Sequence, residues 1–248
     1  MKVVFHEDFY QVYASDPAAA GGRMEAVVKA LRPHLEFVNA QPASQADIAL
    51  VHNPAHIAYV RHTGRYDIAA LAAGGAVQAA TIGLSEPCFG LIRPPGHHAS
   101  AGSCWGFCYF NNMAIALEVL KQRGLIESAY VLDIDLHFGD GTVNILGKKD
   151  YVTVYNVDAM DRTAYLDDVA KEMSCCQADI IGLSAGFDYH REDWGGLLQT
   201  EDYYTIGKCV RQAASRRKGG VFAILEGGYN QRVLGDNVLA LIQGLSGQ

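Results

Sequence analysis

Short apolar runs with high strand propensity alternate with helical patterns along the whole chain. Most of these runs are continuous rather than alternating in polarity. A continuous run is typical of a strand that helices cover on both faces, as in a parallel sheet. This pattern predicts eight strands, at residues 2–5, 35–39, 47–51, 88–92, 129–134, 151–155, 179–184 and 220–225.

Two helices are marked by their ends or by an apolar face. One begins at Thr200, a good N-cap residue, and ends before Gly219, which suits a helix C-terminus. Acidic Glu201 and Asp202 follow its start and basic residues 216–218 precede its end, so the charges complement the helix dipole. The last predicted helix has a core-facing stripe at helical spacing, made of Leu234, Val238, Leu241, Ile242 and Leu245.

The alternation of strands and helices predicts the fold class. No repeat or linker interrupts it, so residues 1–248 are expected to form a single α/β domain. We predict three layers, α/β/α, around a mostly parallel sheet of roughly eight strands. In such sheets ligands bind beyond the carboxyl ends of the strands, and functional residues are therefore expected there.

Composition limits the classes of function. The 20 Lys and Arg residues against 27 Asp and Glu residues give a net charge of −7, whereas a general nucleic-acid binder needs a basic face. No stretch has the form of a signal peptide or reaches the roughly 18 apolar residues of a membrane span. Six cysteines in a chain of this length do not suggest a disulfide framework. We expect a soluble, cytoplasmic protein that binds neither nucleic acid nor membrane; its oligomeric state is left open.

Polar residues gather where four of the predicted strands end. One strand leads into a stiff Arg-Pro-Pro-Gly turn and then His97 and His98. In an extended segment neighbouring side chains point in different directions, so these two histidines are expected to have different roles. Two later strands lead into Asp188 and Tyr229, and the two glycines before Tyr229 would let its phenol enter a cleft.

The residues after the fifth predicted strand indicate a metal site. In an extended chain Asp133, Asp135 and His137 share one face, and three ionisable groups on an apolar strand are costly to bury unpaired. Asp135 and His137 can reach one ion, and Asp188 offers a third ligand at the same edge of the sheet. Such a set leaves open positions for water, as in catalytic zinc sites. Its oxygen-rich character also suits Fe²⁺ or Mn²⁺.

The order of these motifs resembles that of a known family. RPPGHHA, GFCYFNN, LDIDLHFGDGT, SAGFDYH and EGGY follow one another between residues 93 and 229. They resemble the histone deacetylase and acetylpolyamine amidohydrolase family, which has the arginase/deacetylase fold, and the chain looks like a short, prokaryotic-type member. The resemblance implies a zinc-dependent amide hydrolase that removes an acetyl or other acyl group from an acyl-lysine or acylpolyamine amine.

The resemblance also implies a role for each motif residue. The positions that match the family's zinc ligands are Asp135, His137 and Asp188. Those that match its catalytic residues are His97, His98, Tyr229, Asp133 and Asp140, where Asp133 pairs with His97 and Asp140 with His98. Those expected beside the substrate are Phe107, Gly106 and Gly227. The resemblance also implies a potassium site built largely from carbonyls around Asp133, Asp135 and His137.

The implied mechanism divides proton transfer and charge stabilisation among three side chains. His98 takes a proton from water and returns one to the leaving amine, while His97 assists electrostatically. Tyr229 donates a hydrogen bond to the tetrahedral oxyanion.

Three departures from the family pattern stand out. Phe138 replaces a frequent second histidine, Tyr155 stands near a serine that helps to bind potassium, and the segment between His137 and Asp188 is shorter.

Three other interpretations are open from sequence. Gly-Leu-Ser-Ala-Gly around Ser184 matches a nucleophile elbow, although no catalytic Asp and His follow at the required spacing. Cys104 and Cys108 could join the tandem histidines in a soft metal site. A domain that binds acyl-amines without turnover would be expected to lack the tyrosine or a ligand, and both are present. The acidic loop residues could contact a cationic substrate, but solvated surface charge is the favoured interpretation; they are Glu7, Asp8, Glu192 and Asp193.

Overall fold

The computed structural model describes residues 1–247. Within this range the strands are β1 (Lys2–Phe5), β2 (Glu36–Asn39), β3 (Cys88–Gly90), β4 (Ala129–Asp133), β5 (Val152–Asn156), β6 (Ile180–Ala185) and β7 (Gly220–Leu225). The helices are α1 (Arg23–Leu31), α2 (Gln45–Ala49), α3 (Pro54–His62), α4 (Tyr66–Gly83), α5 (Asn112–Gln122), α6 (Asp140–Leu146), α7 (Arg162–Cys175), α8 (Thr200–Arg217) and α9 (Gln231–Ser246). Two short 3₁₀ helices, Glu7–Tyr10 and Pro17–Ala19, precede α1.

The strands form one parallel sheet in the order β2-β1-β3-β7-β6-β4-β5. Every residue of β6 and β7 is buried. Because successive strand residues face opposite sides, both faces of the sheet must be covered. Among other contacts, α4 packs against β3 and β7, and α8 packs against β6 and β7. The predicted three-layer α/β/α architecture is confirmed, with a sheet of seven strands within the described residues rather than about eight.

The prediction of a strand at 47–51 is wrong, because most of this run lies in α2. Ser44 caps that helix: the backbone N–H of Asp47 donates to Ser44 Oγ at 3.1 Å, and the Ser44 N–H donates to Asp47 Oδ2 at 3.3 Å. Such a reciprocal capping box satisfies two N–H groups that a helix start leaves free. An apolar run of five residues fits a strand or a helix, and the cap decides for the helix.

The two helices marked in the sequence are confirmed, with small differences at the ends of α8. Gln199 rather than Thr200 is the N-cap, because the Asp202 side chain accepts the Gln199 N–H at 2.8 Å. Lys218 takes the left-handed conformation that closes the helix, one residue before Gly219. The predicted apolar stripe of α9 is buried. Among residues 1–247, no helix has the length and apolar character needed to cross a bilayer.

The four predicted motifs follow four strands that are neighbours in the sheet. These strands are β3, β7, β6 and β4, in that spatial order. Since all four run parallel, their carboxyl ends lie at one edge, and the segments that follow them meet there. The sheet therefore brings together residues that are up to 132 positions apart in sequence, from His97 to Tyr229.

Candidate active site

Two carboxylates and one imidazole converge beyond the ends of β4 and β6. Asp135, His137 and Asp188 each offer one ligand atom, and these atoms lie within 4.8 Å of one another. Nδ1 of His137 is 3.2 Å from Asp135 Oδ1 and 3.0 Å from Asp188 Oδ2. Both carboxylates are buried, whereas His137 is partly exposed. Within the described residues this is the group whose geometry suits a metal ion.

The charges of these groups favour a cation in the cluster. Burial and the charge of Asp135 raise the pKa of Asp188 to about 7. Hydrogen bonds to Asp135 and Asp188 raise the pKa of His137 to about 10. In other words, the two carboxylates hold a proton on the imidazole between them when nothing else supplies positive charge. Oxygen and imidazole ligands of this kind fit a divalent metal ion, which would replace that proton.

Gly227 allows the two carboxylates to lie so close to the backbone. Its N–H donates to Asp135 Oδ2 at 2.7 Å. A Cβ at this position would lie 2.5 Å from Asp135 Oδ2 and 2.7 Å from Asp188 Oδ2, distances that real Cβ atoms do not show. The sequence places Gly227 beside the substrate; the structure places it both on the wall of the cavity and against the carboxylates.

The two adjacent histidines each contact a different carboxylate. Nδ1 of His97 lies 3.1 Å from Asp133 Oδ2, and Nδ1 of His98 lies 2.7 Å from Asp140 Oδ1. The extended conformation expected for this segment is wrong: a turn places the two rings side by side, with centroids 4.0 Å apart. The imidazoles nevertheless belong to separate pairs, as the family resemblance implies.

The environments of the two histidines push their pKa values in opposite directions. Burial opposes the charged form of His97, but Asp135 and Asp133 outweigh it and raise its pKa well above the ordinary value. Burial and the neighbouring charge of His97 lower the pKa of His98 to about 4, although Asp140 opposes this. One ring is therefore held as a cation and the other as a neutral base, a separation typical of acid–base sites.

A buried carboxylate that the sequence analysis did not assign anchors the histidine turn. Glu226 Oε2 accepts the N–H groups of Gly96 at 2.7 Å and of His97 at 3.3 Å. Burial raises the pKa of Glu226 to about 7. Ser184 also contacts it, with Oγ 3.5 Å from Glu226 Oε1, and lies inside β6 rather than at a sharp turn after it. This geometry does not support the nucleophile elbow.

Tyr229 enters the site from the loop after β7. Its backbone N–H donates to Asp193 Oδ2 at 2.7 Å, so the partly buried Asp193 holds this loop in addition to carrying a charge. The phenol ring stacks on Trp194 with centroids 4.1 Å apart and meets Phe107 edge-on at 6.0 Å. Burial raises the pKa of the Tyr229 phenol, which therefore stays protonated and able to donate at neutral pH.

Phe107 and Gly106 form a strained turn beside His98. Both have positive φ angles, 57° at Gly106 and 68° at Phe107. For a non-glycine residue this conformation costs of order 1–3 kcal/mol and is found mainly at functional sites. A Cβ at Gly106 would overlap the His98 ring, so this glycine lets the backbone pass against the imidazole.

These residues surround a narrow cavity of about 120 Å³. Its lining is Pro95, His97, His98, Trp105, Gly106, Phe107, His137, Trp194, Gly227 and Tyr229. The paired carboxylates Asp133 and Asp140 lie behind the two histidines. Trp105 and Trp194, the chain's two tryptophans, were not predicted as site residues, although Trp105 directly precedes GFCYFNN and Trp194 lies four residues after SAGFDYH.

Some sequence-based interpretations receive no support from the site. Cys108 is buried with its sulfur 3.4 Å from the His98 backbone N–H, and within residues 1–247 no cysteine joins a metal-binding group. Phe138 is exposed. The Tyr155 hydroxyl donates to Asp168 at 2.7 Å. The potassium site stays a prediction.

The fold and this site together define a class: a three-layer α/β protein with a candidate metal centre beside two histidine–carboxylate pairs. Comparison with known proteins is more specific. The model of the histone deacetylase domain family matches residues 18–166 and 156–245. The chain belongs to the histone deacetylase family, and it is an amide hydrolase of the deacetylase type.

Two relatives and one solved structure illustrate the similarity. A probable deacetylase of Methanothermobacter thermautotrophicus is 28% identical, over 99% of this chain and 91% of the relative. A histone deacetylase-like amidohydrolase of Pseudomonas aeruginosa is also 28% identical, over 95% of this chain and 80% of the relative. The crystal structure of the HDA15 HD domain superposes with a TM-score of 0.87 at 23% identity, covering 99% of this chain and 89% of that one. This last match shows a shared fold.

Proposed function

We propose that this protein is a zinc-dependent deacetylase that removes an acetyl or other short acyl group from an acyl-lysine or acylpolyamine amine. One observation carries the proposal: the Asp135–His137–Asp188 cluster and Tyr229 meet two histidine–carboxylate pairs in one cavity. Fe²⁺ is an alternative occupant of the same ligands, and a potassium ion nearby remains part of the proposal that the family resemblance suggests.

When bound, the metal would lower the pKa of a water molecule and polarise the amide carbonyl. The protein's own groups supply the proton transfer. His98 is neutral at physiological pH and lines the cavity, so it can take a proton from the attacking water and return one to the leaving amine. His97, which stays cationic beside Asp133, contributes positive charge near the reacting carbonyl.

Tyr229 stabilises the charge that develops on the carbonyl oxygen. Its protonated phenol lines the same cavity and would donate a hydrogen bond to the tetrahedral oxyanion. Loss of one such donor costs about 3–4 kcal/mol, or 100- to 1,000-fold in kcat, in other hydrolases. Two contacts hold the Tyr229 ring in place for this role. The ring stacks on Trp194, and the Tyr229 backbone N–H donates to Asp193.

The cavity suggests the shape of the substrate. Its volume of about 120 Å³ lies well below the roughly 300–1,000 Å³ of common ligand pockets. Aromatic side chains, Phe107 and Trp194, lie on its walls. A linear arm that ends in a small acyl group suits this space better than a bulky ring, and acyl-lysine and acylpolyamine both present such an arm.

The test is an assay of zinc-loaded protein against acetyl-lysine peptides and acetylated polyamines, with metal analysis of every sample. We expect turnover that a chelator abolishes. Tyr229→Phe should lower kcat 100- to 1,000-fold, and His98→Ala should lower it at least as much, while both variants keep their zinc.

The other outcomes separate the alternatives. Tightly bound metal without turnover of any acyl-amine would favour a binding domain. A protein that binds no metal, or a Tyr229→Phe variant with unchanged kcat, would contradict the proposed mechanism.

A further inference from the structure

Trp105 contacts both members of the His98–Asp140 pair. Its ring lies 3.8 Å from the His98 ring between centroids, at an interplanar angle of 31°. Its Nε1–H donates to Asp140, 3.2 Å from Oδ1 and 2.9 Å from Oδ2. Nδ1 of His98 lies 2.7 Å from the same Oδ1. The three side chains therefore form a closed set in which one carboxylate accepts N–H groups from two aromatic rings.

This arrangement restricts the His98 imidazole on several sides. A single bond from Nδ1 to Asp140 would leave the ring free to pivot about that contact. Trp105 lies against the ring at 3.8 Å and His97 at 4.0 Å. The Gly106 backbone passes along the ring edge that carries Nε2. Because Nδ1 is occupied by Asp140, Nε2 is the nitrogen left for the cavity, and these contacts fix its direction.

The Asp140 carboxylate is accessible to solvent. Its side chain is 35% exposed. Water that reached the carboxylate would compete with His98 for its oxygens. The indole N–H gives the carboxylate a second protein donor, which helps to keep the oxygen that faces His98 in place.

The second tryptophan offers a comparison within the same cavity. Trp194 stacks on Tyr229 with centroids 4.1 Å apart. Over residues 1–247, however, its indole N–H makes no hydrogen bond to a carboxylate like that of Trp105. The shared carboxylate therefore distinguishes Trp105 from a residue that only lines the wall.

We propose that Trp105 is a positioning residue for proton transfer: it fixes the orientation of His98 by stacking on the ring and by holding the carboxylate that the ring uses. The inference rests on the proposed function, in which His98 moves the proton. The proposed role affects kcat rather than substrate affinity, because the His98–Asp140 pair takes part in proton transfer.

The kinetic test compares Trp105→Phe with wild type in two backgrounds. Phenylalanine keeps an aromatic ring but removes the N–H donor. We expect kcat to fall about tenfold with KM changed less than twofold, since the lost interaction serves the transition state. In the Asp140→Ala background the same substitution should change kcat less than twofold, because the shared acceptor is gone. An equal loss in both backgrounds would overturn the proposal.

A second measurement does not depend on activity. Nitrogen NMR of ¹⁵N-histidine-labelled protein reports which ring nitrogen of His98 carries the proton. We expect one dominant form, with the proton on Nδ1, in wild type and a mixture in Trp105→Phe. Trp194→Phe, which removes the other indole, should leave the His98 signals as in wild type. Unchanged His98 signals in Trp105→Phe would overturn the positioning role.

The two measurements keep this inference separate from the proposed function. If wild type turned over no acyl-amine, the proposed function would fail, while the nitrogen spectra would still decide whether Trp105 orders His98. If wild type were active and Trp105→Phe retained full kcat, the positioning role alone would fail.

Discussion

At the scale of single residues, the site leaves no room for a side chain at Gly227. Gly227 faces two buried carboxylates at distances that leave no room for a Cβ. Its N–H is also a hydrogen-bond donor to one of them, Asp135. A side chain here would have to displace groups that the proposed metal needs in place. Substitution of a group that contacts a metal ligand commonly changes the metal affinity by about 10- to 100-fold.

We therefore expect Gly227→Ala to weaken zinc binding at least tenfold and to lower deacetylase activity in parallel. Isothermal titration calorimetry of metal-free protein measures the affinity. Gly21→Ala is a suitable control, because its Cβ would meet only Val12, at an ordinary 3.6 Å. Wild-type zinc affinity in Gly227→Ala would contradict the packing argument.

Burial of His52 makes the stability of the protein depend on pH. The ring is buried, and Nε2 accepts the Asn111 backbone N–H at 2.9 Å. Burial, together with the nearby His56, lowers its pKa from 6.5 to about 3. Between these two values the unfolded chain binds a proton that the folded protein does not, so the free energy of unfolding falls as pH decreases from 6.5 toward 3.

This one group should contribute a slope of up to about 1.4 kcal/mol per pH unit in that range. Urea unfolding of wild type and His52→Gln at pH 7, 6 and 5 measures it. We expect the difference in unfolding free energy between the two proteins to shift in favour of the variant as the pH is lowered. Parallel curves would show that His52 is not held neutral.

The sequence indicates which residues gather at the sheet edge, but it does not predict how their side chains are arranged. Motif residues such as Asp135, His137 and Asp188 are recognisable because each follows a strand that alternation alone reveals. The stacking of Trp105 on His98 could not be predicted from sequence, because the turn beside it contains two consecutive positive φ angles, at 106 and 107. Spacing along a chain does not determine such a turn.

At the scale of elements, α2 shows where hydrophobic pattern alone fails. The run at 47–51 has the composition of a strand, but the Ser44 cap starts a helix there. The other predicted strands, such as those matching β4, β6 and β7, are confirmed because they are long enough and are bounded by turn residues. A cap three residues upstream decides the class of a short run.

Ser44→Ala should therefore lower the free energy of unfolding by about 1 kcal/mol, through loss of the N-cap. Chemical denaturation measures the change. Ser44→Asp, which retains a capping oxygen, should remain within a few tenths of a kcal/mol of wild type. Since α2 lies outside the active-site cavity, kcat should be unaffected; equal stability of the alanine variant and wild type would show that the cap contributes little.

At the scale of the whole molecule, the proposed metal would connect two strands. Asp135 and His137 follow β4, and Asp188 follows β6. An ion bound to all three stabilises only the folded state, because the unfolded chain does not bring them together.

Zinc at a free concentration of 100 times its Kd should raise the free energy of unfolding by about 2.7 kcal/mol. Denaturation with zinc and with chelator measures this increment. In Asp188→Asn the increment should largely disappear. An identical increment in that variant would place the stabilising ion elsewhere.

The position of β7 has a consequence for synthesis of the protein. It is the last strand in the chain, yet it lies between β3 and β6. Until it is inserted, the sheet consists of two separate halves, each with an exposed inner edge that can pair with other chains. His97 follows a strand of one half, and the proposed metal ligands follow strands of the other. A nascent chain on the ribosome therefore holds both parts of the active site before residues 220–225 emerge to join them, and during this interval its open strand edges leave it most prone to aggregation.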